Sequence, residues 1–169
     1  LFRSNLRLQS GIAPLNYYAE KGVRVGMGLD EAGLNDDRDM LQEMRLVLKL
    51  HRHPGMDSQV PTAPQVFQMA TENGAHTTRF AAEIGTLEPG KAADLVLMDW
   101  HHLAYPYLDD TIHPLEAVIQ RSRTHGIDLV MVNGQVILQG GQFTRVNKQA
   151  LLEELATSLR APLTPAELR

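Results

Sequence analysis

Val23-Arg24-Val25-Gly26-Met27-Gly28-Leu29-Asp30-Glu31-Ala32-Gly33-Leu34-Asn35-Asp36-Asp37-Arg38-Asp39-Met40 is the stretch from which the fold is read. Val23, Val25 and Met27 alternate with Arg24, Gly26 and Gly28, the period of a strand, with small residues where another backbone must come close. Asp30 falls just past the last apolar position, and a polar loop leads from it to a helix. In α/β enzymes chemistry sits at the carboxyl ends of parallel strands. An Asp there is also a common loop or cap residue, because its side chain takes turn geometry easily.

Upstream, Ile12, Leu15 and Ala19 recur at helical spacing, and Gly22 stands where a C-terminal cap belongs, so a short helix is expected over 11–22. Downstream, Asp39 followed by Gln42 has the capping-box spacing, and Met40, Leu41, Met44, Val47, Leu48 and His51 share one broad face. Pro54 and Gly55 should end that helix. Thr62 with Gln65 repeats the capping pattern ahead of Val66, Phe67, Met69 and Ala70. Asn73-Gly74 is a stop signal, followed by a further helical segment to Ala82. Leu95–Met98 reads as a strand, and His101–Thr111 as irregular. Pro114 suits a first helical position. Two strands, 128–132 and 135–138, flank Asn133-Gly134, a strong hairpin signal. Asn147 can cap a last helix carrying Leu151, Leu152, Leu155 and Leu159. The pattern thus changes from helix–strand–helix before Arg52 to strands and a hairpin after Gly85.

With 169 residues, 43% of them hydrophobic and 21% charged, the chain can build a real core and is not of disordered composition. A formal net charge of −4 argues against nucleic acid or an anionic membrane as partner. No apolar run approaches the roughly 20 residues of a membrane span. The absence of cysteine excludes disulfides and thiolate metal sites and is compatible with the cytoplasm. The chain starts at Leu1 without Met and reads as a truncated or processed product.

Ser4-Asn5-Leu6-Arg7-Leu8, Ser10-Gly11-Ile12-Ala13-Pro14, Val25-Gly26-Met27-Gly28-Leu29-Asp30, Asn35-Asp36-Asp37 and Glu43-Met44-Arg45 together resemble the end of an amidohydrolase-superfamily enzyme. The branch is that of the cytosine, guanine and S-adenosylhomocysteine deaminases and the aminotriazine chlorohydrolases. Ile84-Gly85-Thr86-Leu87-Glu88-Pro89-Gly90-Lys91-Ala92-Ala93-Asp94-Leu95-Val96-Leu97 and Met131-Val132-Asn133-Gly134-Gln135-Val136 are similar to that family's re-entry strand and final hairpin. The resemblance runs through nearly the whole chain but covers about the last third of a typical member. It implies an α/β fold: the last helix–strand–helix of a (β/α)8 metal-dependent hydrolase barrel, plus the C-terminal half of a small β-sandwich domain. The implied divisions are 1–84, barrel end and following helices; 85–146, sandwich segment with an inserted helix; and 147–169, C-terminal helix and tail.

The resemblance further implies hydrolytic deamination or dechlorination of a heteroaromatic ring by a metal-bound hydroxide, with zinc, or else iron, as the divalent metal. Asp30 would ligate the metal and relay a proton. Asn5, Glu31 and Asn35 are candidate substrate contacts; each has a bland alternative, Asn5 and Asn35 as loop-backbone stabilisers and Glu31 as a solvated charge. The family commonly has a small residue at the place of Glu31, Ser at that of Leu34, and a His upstream of Ser4, so no particular substrate carries over; an amide or cyclic amide is the alternative substrate class. The family's remaining His and Glu ligands come from earlier strands that this chain does not contain, and one carboxylate cannot hold a catalytic zinc. The chain alone should be inactive. It should be completed by the missing N-terminal part of the same enzyme, or self-associate as a homo-oligomer; a non-catalytic association module is the competing class.

His51-Arg52-His53 imitates a metal-binding pair. At the end of a helix, however, positions i and i+2 do not face each other, and His suits the C-terminal dipole. His101, His102, His113 and His125 are read as surface or packing residues, and His76 as lying inside a helix beside Thr residues with no partner identifiable from sequence. There is no phosphate loop and no nucleophile elbow.

Overall fold

The computed structural model describes residue 5 and residues 8–30, 38–51, 61–123 and 126–160. Among these, the order is α1 (Leu15–Glu20), α2 (Met40–Leu50), α3 (Ala63–Ala70), α4 (Glu72–Thr77), β1 (Leu95–Met98), α5 (Trp100–Ala104), α6 (Pro114–Arg121), β2 (Ile127–Val132), β3 (Gln135–Gln139), β4 (Gln142–Phe143) and α7 (Lys148–Arg160). Helices α2, α3 and α6 pack on one another around Leu15, Met44, Val47, Leu48, Ala63, Val66 and Ile119. The four strands form one antiparallel sheet in chain order, with α5 and α6 inserted between β1 and β2.

The helix ends follow side-chain chemistry. Asp39 accepts from the Gln42 amide at α2, and Thr62 and Gln65 make a full reciprocal box at α3. Asn147 Oδ1 accepts from the Ala150 amide at α7. At the end of α1, Val23 N–H reaches Tyr18 O while Gly22 N–H reaches Ala19 O, with Gly22 at φ +66°. This paired arrangement terminates a helix through a glycine. The expected start at Gly11 is not seen: α1 begins only after Pro14, which disfavours helical backbone in the residue before it.

Four expectations are corrected. Residues 23–29 are neither helical nor paired in a sheet among the described residues. Their backbone is taken up by helices instead: Asn73 Nδ2 donates to Val25 O at 3.0 Å, and Met27 N–H donates to Met69 O at 2.9 Å. Asn73-Gly74 is no stop; both residues lie inside α4, and the break falls at Thr71 (φ −120°, ψ −90°). The helix expected to reach Ala82 ends at Thr77, because Arg79 turns at φ +69° and Phe80 N–H bonds back to Ala75 O. Within 101–111, a short α5 capped by Asp99 replaces part of the irregular stretch. The helix end at Pro54-Gly55 lies outside the described residues.

Candidate functional site

Asp30 follows directly on the segment held by α3 and α4. That segment comes very close to α4: a Cβ added at Gly26 would lie 2.7 Å from Thr77 Oγ1 and 3.3 Å from Asn73 O. Asp30 has φ +62° and is exposed. For a residue with a side chain this left-handed backbone is uncommon; Asp and Asn adopt it more readily than most because their short polar side chains bond locally. Such conformations persist where the surroundings hold the chain, and they gather at functional sites.

Asn5, about twenty residues upstream, approaches the same segment. It lines an open cleft with Ala13, Leu15, Val25, Gly26, Met27 and Met69. Apart from Asn5, the lining side chains are apolar. Asp30 is not among the lining residues, so Asn5 is brought to the base of the Asp30 segment and not to its tip. The Asn5 carbonyl accepts from Ser10 N–H at 3.0 Å. Glu31 and Asn35 lie outside the described residues.

Two of the described histidines, His51 and His113, are held by structural hydrogen bonds, and His76 is exposed. His51 is buried, with Nδ1 3.0 Å from Val47 O and Nε2 3.0 Å from Ala13 O, so both ring nitrogens face backbone carbonyls. His113 Nδ1 accepts from Leu115 N–H and caps α6. His101 and His102 are exposed, with His102 Nδ1 3.8 Å from Asp99. His53 and His125 lie outside the described residues. Among the described residues, no three of His, Asp and Glu gather as a cation site. The exposed, sterically open carboxylate of Asp30 fits one ligand position of a divalent metal; the described residues do not supply the others.

Sequence reasoning missed Arg45. It is 8% exposed, and its Nε donates to Ile119 O at 2.7 Å, one terminal nitrogen to Ser122 O at 2.6 Å and the other to Gln42 Oε1 at 2.9 Å. Asp39 Oδ2 lies 3.7 Å from that last nitrogen. Burial, and then the nearby Arg123, lower the guanidinium's pKa from its ordinary value, and Asp39 opposes them. The available signal was positional: 41, 44, 45 and 48 form an i, i+3, i+4, i+7 stripe, which places Arg45 on the face turned to the core.

Helices packed on the segment that leads to an exposed acidic residue are followed along the chain by an antiparallel sheet. The comparisons with known proteins narrow the class. Residues 1–137 match the model of the Amidohydrolase family, and the chain belongs to that family. It is 32% identical over 157 residues to a 5-methylthioadenosine/S-adenosylhomocysteine deaminase of Syntrophomonas wolfei, covering 93% of this chain and 36% of that protein. With a 5'-deoxyadenosine deaminase of Methanosphaera stadtmanae it shares 32% identity over 146 residues, 86% of this chain and 33% of the relative. Among solved structures, the zinc complex of atrazine chlorohydrolase TrzN from Arthrobacter aurescens superposes with a TM-score of 0.82 at 26% identity, over 93% of this chain and 34% of the other. A zinc-bound adenosine deaminase from Xanthomonas campestris gives 0.81 at 28% identity, over 92% and 35%. The chain spans about a third of the length of these relatives.

Proposed function

We propose that this chain is the C-terminal part of a metal-dependent amidohydrolase that removes an amino group, or a chloride, from a heteroaromatic ring. The observation that carries the reading is Asp30: an exposed carboxylate on a left-handed backbone, at the end of a segment gripped by two helices, within the region matched by the family. A divalent metal, zinc in the two structural neighbours named above, lowers the pKa of bound water to about 7 when present. Asp30's part is to offer one anionic oxygen as ligand and to accept and pass on a proton from the attacking water. Asn5, Glu31 and Asn35 remain candidate contacts to the substrate or to the loop backbone. The remaining ligands come from residues beyond this chain.

On the same reading, residues 1–84 belong to a (β/α)8 barrel, 85–146 to a small β-sandwich and 147–169 to a terminal helix and tail. The nucleoside deaminases among the relatives favour an amino-purine substrate over a chlorotriazine, and ammonia against chloride release separates the two.

The test is metal content by mass spectrometry of the polypeptide that carries this chain, purified with and without Asp30→Asn. Asn keeps compatibility with the left-handed backbone while removing the charge. About one equivalent of zinc or iron, lost in the variant, is expected; metal retained at the same level in the variant refutes the assignment.

A second reading, a non-catalytic association module, draws on exposed apolar side chains: Val96 and Leu97 on β1, and Leu151, Leu152 and Leu155 on α7. A clean monomer in size-exclusion chromatography of this chain argues against it.

A further inference from the structure

The chain carries two Asn-Gly pairs, Asn73-Gly74 and Asn133-Gly134. Both have the same latent chemistry. The glycine amide nitrogen can attack the asparagine side-chain carbon Cγ and close a five-membered ring, and glycine has no side chain to hinder the approach. The attacking nitrogen gives up its proton, the Cγ–Nδ2 bond breaks, and the side-chain nitrogen leaves as ammonia. Water then opens the cyclic imide at one of its two carbonyl carbons. Opening at Cγ leaves aspartate. Opening at the backbone carbonyl leaves isoaspartate, in which the main chain runs through the side chain. No oxidant or reductant is involved.

We propose that Asn133 is a deamidation site gated by the start of β1, while α4 holds Asn73 out of the same reaction. The difference lies in what must open. Asn133-Gly134 is the exposed β2–β3 turn, and a Cβ added at Gly134 would meet nothing within 4 Å. Two contacts restrain it, both with residues that lead into β1. Gly134 N–H donates to Ala93 O at 3.0 Å, which occupies the attacking nitrogen. Asn133 N–H donates to Asp94 Oδ1 at 2.6 Å, which holds the backbone of the asparagine. Detaching 93–94 frees both, and the strand pairing that begins at Leu95 and Met131 can stay in place.

Asn73 lies half-buried inside α4. Its Nδ2 donates to Val25 O at 3.0 Å, and Gly74 O accepts from the hydroxyls of Thr77 and Thr78. Ring closure there needs the helix and the tie to Val25 to come apart together. Local opening is far easier at exposed turns than in packed helices, and a reaction slower than reclosing follows the open population. The product at 133 acts back on the gate. Aspartate brings a second negative charge to the contact with Asp94, and isoaspartate lengthens the turn by one backbone atom, so both weaken the hold on β1.

The experiment uses the polypeptide that carries this chain, incubated folded in mildly alkaline buffer and, in parallel, in concentrated urea. Peptide mapping by mass spectrometry follows both asparagines, and chromatography separates isoaspartate from aspartate. In urea the two should react at similar rates, because glycine follows each. In the folded protein Asn133 should react about tenfold faster than Asn73 or more. Asp94→Ala should speed Asn133 several-fold and leave Asn73 unchanged. If that variant loosens the whole fold and both rates rise together, amide hydrogen exchange of the wild type decides. Gly134 N–H should then exchange faster than Ala75 N–H, which is bonded to Thr71 O within the α4 region. Equal folded-state rates at the two asparagines, an Asn133 left intact over many unfolded-state half-lives, or an Asn133 rate indifferent to Asp94→Ala would overturn the proposal. So would Gly134 exchange no faster than that of Ala75 where exchange decides. The outcome is independent of Asp30 and of any metal.

Discussion

Replacing Gly26 with Ala should push α4 away from the segment that leads to Asp30. The new Cβ would sit 2.7 Å from Thr77 Oγ1, 3.1 Å from Thr77 Cγ2 and 3.3 Å from Asn73 O. Both branches of the Thr77 side chain are involved, so a rotamer change exchanges one clash for another. It also sacrifices the bond from Thr77 Oγ1 to Gly74 O. The segment cannot retreat, because Val25 O and Met27 N–H are bonded on either side of Gly26. Overpacking of this kind costs about 1–3 kcal/mol. The stiffer unfolded chain returns about 0.4–1 kcal/mol where the backbone suits alanine. The net loss should be about 1–2 kcal/mol, read as a lower urea midpoint with unchanged slope. Adding Thr77→Ala removes two of the three close atoms, so the double variant should recover about half of the loss or more, a favourable coupling of about 1 kcal/mol. A Gly26→Ala protein within about 0.5 kcal/mol of the wild type, or a double variant in which the two losses simply add, would refute the close-approach argument.

Ile119 is fully buried in the cluster shared by α2, α3 and α6, so Ile119→Ala should cost about 2–5 kcal/mol in urea unfolding; a loss of under about 1 kcal/mol would mean that this junction is not packed as described. Asp109 is held below the ordinary carboxyl pKa first by the Thr111 hydroxyl and then by the Thr111 amide, both donating to Oδ1. A lowered folded-state pKa means that the turn's gain is complete above about pH 4 and is lost as pH falls through the lowered value. The Thr111 amide should report this in an NMR titration, and Thr111→Val should move the midpoint upward; an unmoved midpoint would remove the hydroxyl as the main cause.

Local signals were readable where the deciding contact lies within a few residues. Thr62 with Gln65, Asp39 with Gln42, and Asn147 each announce a helix through a side chain that reaches its own first turn. Asn133-Gly134 announces its hairpin through backbone angles, φ +47° and +73°. The errors arise where a distant partner decides. Asn73-Gly74 reads as a stop, yet Asn73 spends its amide on Val25, 48 residues away, and the helix continues through it. The alternation of Val23, Val25 and Met27 was real, but strand pairing also depends on which element lies alongside, and here that element is helical. The position of Asp30 at the end of the segment was readable because it needs no partner, and its role is the proposal made above. Arg45 was not, because its acceptors at Ile119 and Ser122 are backbone atoms that carry no residue signature.

The two halves of the chain stand differently toward solvent. The helical half closes on itself: Val47, Val66 and Ile119 are fully buried. The sheet does not. Val96 and Leu97 are consecutive on β1, so they point to opposite faces, and both are about half exposed. An antiparallel sheet tolerates water on one face when that face is polar; apolar side chains on both call for cover. What binds the halves is partly apolar, through Ile119 in the helical core, and partly directional. Within the sheet itself, Asp94 accepts from Asn133 N–H and Ala93 O from Gly134 N–H, which ties the start of β1 to the β2–β3 turn. At 45 and 119–122, the guanidinium of Arg45 joins that sheet's inserted helix to the helix behind Asp30. Burying a charge is costly unless every donor is used. The directional contacts of Arg45 tie the end of α6 to the first turn of α2.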